Sequence, residues 1–270
     1  MHSIILTVHN KGWLIDKVIE SITKYTASPY ELIIVLDGCT DNSEQVVTET
    51  VARLAVDPII LYAPNVFETP ANNMGLKKAT GDKAIIIQDD TIIKEFEWNL
   101  RMEKPFIGFG DVFAVTARTA HNWKLNPNCQ HLDLRENLDS CWCDILDHVD
   151  HASQEHGLPR DIFAIRSSVN RGPLMIDLSD LKTLNYLDEE YAPQDMDDHD
   201  LMYRMYKKLG KVCGCYWINM ESKNEWGGTR ISGEPAPWLF KAHHKNTKIF
   251  YQRHKDILES HRVIEDRKLA

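Results

Sequence analysis

The sequence predicts an α/β protein with a mostly parallel central sheet flanked by helices, and three observations predict it. Four short apolar runs, rich in β-branched residues, occur in the first 90 positions, at 4–8, 32–36, 59–62 and 84–87. Runs this continuous suit strands buried on both faces. The segments between them repeat apolar residues at helical spacing, and a β-α-β-α-β-α-β order leads to right-handed crossovers and parallel pairing. The chain also places turn-forming and acidic residues directly after the strands, on the edge where open α/β sheets bind ligands.

Ile4-Ile5-Leu6-Thr7-Val8 makes the first strand, and His9-Asn10-Lys11-Gly12 the loop after it. Leu14, Val18, Ile22 and Tyr25 then mark an amphipathic helix ending near Ser28-Pro29. The second strand, at 32–36, runs into Asp37-Gly38-Cys39-Thr40-Asp41-Asn42-Ser43, a loop rich in turn and capping residues. Val47, Val51 and Leu54 belong to the second helix, and 59–62 to the third strand. Thr69-Pro70 predicts a helix start, with a capping hydroxyl and proline at the first helical position, and Thr80-Gly81 its end. The fourth strand, 84–87, ends in Gln88-Asp89-Asp90.

Beyond Thr91 the pattern loosens. Residues 106–109 and 112–115 are strand-like, and 119–165 form an irregular, polar insertion. Gly172 to Asp177 predicts a strand, and 200–209 a helix closed by Gly210. Cys213 and Cys215 predict a strand with both thiols on one face; residues 222–247 look like loop and 250–264 like a charged terminal helix. The expected organisation is one domain over 1–215, with the insertion 119–165 on its acceptor side, and a C-terminal extension over 216–270.

Composition narrows the function. A chain of 270 residues with 43% hydrophobic and 26% charged content can bury a sizeable core and is not disordered. A net charge of −9, from 40 acidic and 31 basic residues, argues against a nucleic-acid-coating surface. No apolar run reaches the roughly 18–20 residues that span a bilayer. The start Met1-His2-Ser3-Ile4 lacks a signal-peptide pattern. These features predict a cytoplasmic protein, with peripheral membrane attachment left open. The six cysteines show no small-domain disulfide spacing.

The chemistry-bearing residues converge by topology. In a doubly wound sheet, Thr7 to Asn10, Asp37-Gly38 and Asp89-Asp90 share one edge, within reach of a single ligand. Asp89 and Asp90 offer hard oxygen ligands for Mg²⁺ or Mn²⁺; alternatively they form a solvated turn. Neither a G-x-G-x-x-G dinucleotide fingerprint nor a phosphate-binding P-loop occurs, so phosphates would be held through a metal. Asp195-Met196-Asp197-Asp198-His199-Asp200 packs four carboxylates into six residues ahead of the helix carrying Arg204. This is more acid than a helix cap needs, and mutual repulsion is expected to raise the carboxylate pKa values toward a general base's range.

These residues, in this order, resemble the family 2 glycosyltransferases of the GT-A fold over about residues 3–212. Residues 3–10 are similar to the family's opening strand and loop, and ELIIVLDGCTDNS (31–43) to its second-strand signature, with Leu36 at an Asp position. Asn65 and Ala71-Asn72-Asn73-Met74-Gly75 are similar to its paired Asn and A-R-N-x-G segments, with Asn72 in place of Arg. Gln88-Asp89-Asp90 falls at the D-x-D metal motif, with Gln for the first Asp. Arg171-Gly172-Pro173-Leu174 and Asp197 to Leu201 with Arg204 resemble the acceptor-side strand and the E-D-x-D-L-x-x-R segment.

The resemblance implies inverting transfer of a sugar from a nucleoside diphosphate (UDP, GDP or dTDP type) to a glycan or other hydroxyl acceptor. It assigns donor binding to Thr7, His9, Asn10, Asp37, Asn73 and Asp89. Mn²⁺ or Mg²⁺ goes to Asp90 and Asp89, and proton abstraction to Asp198. His243 or His244 would reach the metal or diphosphate from the tail. Arg171, Gly172, Asp197, Arg230 and Trp142 would contact acceptor or phosphate. Two rivals are a nucleotidyltransferase on a related fold, for which His9-Asn10-Lys11-Gly12 carries little positive charge, and an inactive sugar-nucleotide-binding module, which keeping Asp90 and Asp198 argues against. Structural zinc on Cys129, His131, Cys141, Cys143, His148, His151 and His156 matches no standard ligand spacing.

Overall fold

The structure is a computed structural model that describes residues 1–125, 142–144, 159–227, 237–260 and 264–269. Its strands are β1 (His2–Val8), β2 (Tyr30–Asp37), β3 (Ile59–Ala63), β4 (Lys83–Gln88), β5 (Ile92–Ile93), β6 (Val112–Thr116), β7 (Ala120–His121), β8 (Trp123–Leu125), β9 (Trp142–Asp144), β10 (Ile162–Arg166), β11 (Ser168–Val169), β12 (Leu174–Asp177), β13 (Val212–Cys215), β14 (Met220–Glu221) and β15 (Arg267–Lys268). The helices are α1 (Ile15–Tyr25), α2 (Ser43–Leu54), α3 (Glu68–Leu76), α4 (Trp98–Gly108), α5 (Leu178–Thr183), α6 (Asp197–Leu209) and α7 (Pro237–Ser260).

Nine strands form one sheet in the order β15-β10-β13-β6-β12-β4-β1-β2-β3. β1, β2, β3 and β4 are mutually parallel, β6 and β13 run with them, and β12 and β10 run against their neighbours. Helices cover both faces, as the fold class requires. Ile4, Leu6, Ile34, Ile85 and Ile87 join α1 in one core, while Ile5, Ile33 and Ile86 join α3 and α6 in the other. Successive residues of one strand thus serve opposite layers, which is why these runs are apolar throughout.

Four expectations are corrected. Residues 106–108 are not strand but the last turn of α4, whose inward face is Trp98, Met102 and Pro105, all buried. A proline inside the helix and an apolar run around it obscured the helical period. Thr69 does not cap α3: the helix begins at Glu68, and the Thr69 hydroxyl donates to Asp197 Oδ2 at 2.8 Å. α3 also closes at Leu76, short of Thr80. The acidic cluster does not precede its helix, since Asp197, Asp198 and Asp200 lie in the first turns of α6.

The fourth correction is the C-terminal helix, which starts at Pro237 inside the expected loop. Ala242, Asn246, Phe250, His254 and Leu258 form a buried stripe that recurs every four residues, with Thr247 buried beside it. Two of the five are polar, so the stripe was invisible as hydrophobic periodicity. One polar atom of each is paired: Asn246 Nδ2 donates to the Tyr191 and Gln194 carbonyls at 2.6 and 2.7 Å, and His254 Nε2 lies 2.8 Å from Asp200 Oδ1. The last strand, β15, pairs with β10 and so extends the central sheet. Cys213 and Cys215 face one core layer, as expected, and both are free thiols.

Candidate active site

A cleft of about 220 Å³ opens at the carboxyl ends of β1, β2 and β4. Of the predicted residues, Thr7, His9, Asp37, Asp89, Asp90 and Arg171 line it. Parallel strands end together, so their terminal residues meet without being close in sequence.

Asp37 ends β2 nearly fully buried, and its carboxylate accepts the Val66 and Phe67 N–H groups at 2.7 and 2.8 Å. It therefore pins the loop between β3 and α3 under the cleft. Gly38 follows at φ +59°, where a Cβ would lie 2.8 Å from the Asn65 backbone. Only glycine suits that conformation and approach. His9 Nδ1 lies 2.6 Å from the Asp37 carbonyl, so that nitrogen carries the proton and donates.

Asp89 Oδ2 accepts the His9 N–H at 3.1 Å, and its Oδ1 faces Lys11 Nζ at 3.6 Å. Burial pushes its pKa up to about 7, against the pull of Lys11 and of the His9 N–H. Lys11 is itself 1% exposed and also donates to the Trp226 carbonyl. Asp90 is 7% exposed, and its Oδ1 is 3.5 Å from the Thr91 hydroxyl.

On the opposite wall, Arg171 holds three carboxylates. Its guanidinium donates to Asp197 and lies 3.6 Å from Asp198 Oδ2 and 3.8 Å from Glu68 Oε2, while the Arg171 backbone N–H donates to Asp198 Oδ2 at 3.2 Å. Burial alone would lower the arginine pKa; Asp197, Asp198 and Glu68 outweigh it and raise it. Asp197 is raised by burial and by Asp198, against Arg171. Asp198 moves the other way. Burial pushes it up, but His199, whose Nδ1 is 2.7 Å from Oδ1, and Arg171 together hold it well below the usual carboxylate range. A rise thus occurs at Asp197, where burial is the largest cause and the neighbouring Asp198 only adds to it, and not at Asp198. Gly172, at φ +93°, packs against Gln88, whose Oε1 a Cβ would approach to 2.6 Å.

The Asp198–His199 pair sets a pH dependence. Burial lowers the His199 pKa but Asp198 outweighs it, so the net shift is upward from 6.5, while Asp198 is shifted down from 3.8. A raised histidine stabilises fully below pH 6.5 and loses this as pH rises through its folded value; a depressed aspartate stabilises above 3.8 and loses it as pH falls. The stability difference between the protein and a His199→Gln variant should therefore be largest between about pH 4 and 6.5 and shrink above it. Urea unfolding across pH 4–9 measures it; a difference independent of pH would contradict the ion pair.

Other predicted residues are placed elsewhere. Asn10 Oδ1 accepts the Thr40 N–H at 2.7 Å and braces that loop. Asn73 spends both polar atoms on Leu187 and Glu189, away from the cleft. His243 pairs with Asp195, and His244 is exposed beside it; neither lines the cleft. Asp198 sits behind Arg171, just outside the cleft wall. Trp142 lies in β9 opposite Leu125 in β8. Arg230 lies outside the described residues, as do Cys129, His131, Cys141, His148, His151 and His156. Sequence reasoning missed Lys11, Glu68 and Arg118. In the sequence Lys11 counts only as the single positive charge of the loop after β1, and Glu68 lies just ahead of the helix start expected at Thr69. Arg118 follows β6, which is central in the sheet but late in the chain; burial lowers its pKa, while Asp90 and Glu68 oppose that.

Among the described residues, no three His, Cys, Asp or Glu side chains converge as a ready metal site. The donor set still fits a hard divalent cation. Asp90 and Asp89 line the cleft, burial opposes the charged form of Asp89 until a cation offsets it, and the buried Gln88 Oε1 has no hydrogen-bond partner among the described residues. Such an ion would complete its shell with diphosphate and water.

A largely parallel sheet with an acidic pair at the end of β4, facing Asp37 at the end of β2, defines a GT-A-type nucleotide-sugar transferase architecture. The chain belongs to glycosyl transferase family 2, whose family model matches residues 3–163. It is 29% identical over 93 residues to glycosyltransferase GlyG of Streptococcus pneumoniae serotype 4, covering 34% of this chain and 31% of that one. An uncharacterised glycosyltransferase of Nostoc sp. is 32% identical over 93 residues, 34% of this chain and 29% of the other. The matched region thus spans about a third of these relatives' length.

Solved structures share the fold. The mannosyltransferase PcManGT of Pyrobaculum calidifontis, in complex with GDP-Man and Mn²⁺, superposes with TM-score 0.55 at 14% identity, over 79% of this chain and 54% of that one. GalNAc-T7 with UDP, GalNAc and Mn²⁺ gives 0.63 at 14%, over 96% and 49%. Glucosyl-3-phosphoglycerate synthase of Mycobacterium tuberculosis, with Mn²⁺, UDP and glucosyl-3-phosphoglycerate, gives 0.56 at 15%, over 94% and 80%. No helix among the described residues is long and apolar enough to cross a membrane.

Proposed function

We propose that the protein transfers a sugar, with inversion, from a nucleoside diphosphate to an acceptor hydroxyl, using a divalent metal. The observation that carries this reading is the meeting of Thr7, Asp37, Asp89, Asp90 and Arg171 around one cleft at the sheet's carboxyl edge. The nucleotides bound in the structural neighbours, the donor GDP-Man and the nucleoside diphosphate UDP among them, fit a site of this class.

Thr7, His9 and the Asp37 loop form the wall for the nucleoside. Asp90 would hold Mn²⁺ or Mg²⁺ with Asp89 beside it, and the bound ion supplies charge neutralisation for the departing diphosphate. Lys11 holds Asp89 in place and contributes positive charge to the same wall. Asp198, kept anionic by Arg171 and His199, takes the acceptor proton as the bond to the anomeric carbon forms. A weakly basic carboxylate serves here because the hydroxyl acidifies only as it attacks. Glu68 and Arg118, close to Asp90 electrostatically, set the charge of the cleft between donor and acceptor sides.

The test is a panel of UDP-, GDP- and dTDP-sugars, assayed for binding and for hydrolysis with Mn²⁺, with Mg²⁺ and with chelator. Metal-dependent turnover of at least one donor is expected, and Asp90→Asn should weaken metal-dependent binding about tenfold or more. A protein that binds none of these donors, with or without metal, is not a nucleotide-sugar transferase.

A further inference from the structure

The loop between β3 and α3 carries an aromatic residue where its backbone calls for glycine. Phe67, the residue before α3, has φ +71° and ψ −175°. That region is essentially glycine's, and a side chain persists there only where its surroundings hold it, most often at ligand sites. The surroundings do hold it. Asp37 Oδ1 and Oδ2 accept the Val66 and Phe67 N–H groups at 2.7 and 2.8 Å, and the Phe67 carbonyl accepts the Ala71 N–H at 3.0 Å. Trp238 of α7, which is outside the cleft lining, meets the Phe67 ring in a T-shaped contact, 5.0 Å between centroids.

The ring has a place on the cleft wall, and its companions there are mostly charged or polar. Among the described lining residues, Val8 and Ala71 are the other apolar side chains, and both are small. A nucleoside diphosphate has one flat, weakly polar part, its base, and such a face gains affinity on an aromatic ring. Topology puts Phe67 at that end of the ligand. The acidic pair follows β4 and Asp37 ends β2, two strand spacings or roughly 9–10 Å away across β1. The other neighbour of β4 is β12, on whose side Arg171 and its carboxylates close the wall. A diphosphate held at Asp90 therefore directs its nucleoside over β1 and β2, beside the loop that Asp37 ties down.

We propose that Phe67 is the residue on which the donor's base packs, its ring held at the cleft wall by Asp37 through the backbone. Asp37 spends both carboxylate oxygens on that loop, so its part in base recognition is to position Phe67. This role rests on the nucleotide-sugar reading of the cleft and is specific to the nucleoside, so the diphosphate alone makes no use of it.

The experiment is isothermal titration of the full chain, with Mn²⁺ present, by UDP, GDP, dTDP and inorganic pyrophosphate. Glycine accepts the φ and ψ of this position, so Phe67→Gly removes the ring and keeps the backbone. It should weaken binding of the nucleoside diphosphates about tenfold or more while leaving pyrophosphate within about twofold. Phe67→Tyr keeps a ring and should bind as the parent does. Equal nucleotide affinity in Phe67→Gly and the parent overturns the assignment, as does an equal loss for pyrophosphate. A loss in Trp238→Ala as large as in Phe67→Gly overturns it too, since the ring would then serve to dock α7. A loss seen with a UDP-sugar but not with UDP would move the contact to the sugar and away from the base. A parent that binds none of the nucleotides overturns the nucleotide-sugar reading itself, whereas a parent that binds them and an unaffected Phe67→Gly overturn this role alone.

Discussion

Arg171→Met is expected to lower folding stability by about 3–5 kcal/mol, the usual cost of leaving a buried charge without its partner. Asp197 is fully buried, its Oδ2 bonded to Thr69 and its Oδ1 to Arg171. Asp198 and Glu68 look to the same guanidinium. Removing it leaves neighbouring carboxylates repelling one another across a poorly solvated wall, with His199 beside Asp198 and Arg118, which acts on Glu68 and Asp198, as the positive charges that remain. Urea unfolding measures the loss. The double variant Arg171→Met/Asp197→Asn removes one of the stranded charges and should recover a substantial part of the stability. A single variant within about 1 kcal/mol of the parent, the scale of a surface pair, would show that the cluster does not depend on Arg171.

The second large effect concerns chemistry. Asp198→Asn should retain donor binding and lose transfer by on the order of 10²-fold or more, since the amide cannot accept the acceptor's proton. The size is assigned to turnover rather than affinity because Asp198 lies behind Arg171 and outside the donor cleft wall. Single-turnover transfer alongside nucleotide binding separates the two. Glu68→Gln is the informative comparison, because Glu68 is the carboxylate that lines the cleft on the Arg171 side. If Asp198→Asn transfers at full rate and Glu68→Gln does not, the proton goes to Glu68.

Much of the first half was legible from the sequence. The runs at 4–8, 32–36 and 84–87 face two core layers at once, so each position is apolar for its own reason and the signal is dense. Elements that mix polar and apolar inward positions were misread. α7 buries Asn246 and His254 in its stripe, and α4 buries a proline, so neither showed a clean period. Thr69 illustrates a different failure. Its hydroxyl ahead of a proline has the chemistry of a cap, yet it is directed to Asp197, 128 positions away. Local propensity cannot anticipate a partner that only packing delivers.

The candidate site divides in the same way. Strand order alone brought Thr7, Asp37, Asp89 and Asp90 to one edge, because parallel strands finish side by side whatever their separation in sequence. The sequence by itself therefore determined the α/β sheet, the family resemblance and the location of the acidic cleft. The tertiary structure alone decided the charge state of each group. Asp197 and Asp198 are adjacent in sequence, yet one pKa is raised and the other lowered. The difference lies in which neighbours the fold supplies: Asp198 has both His199 and the Arg171 backbone N–H, whereas Asp197 is more deeply buried. Ionisation is set by desolvation and by charges within a few ångströms, and those distances exist only once the chain has packed.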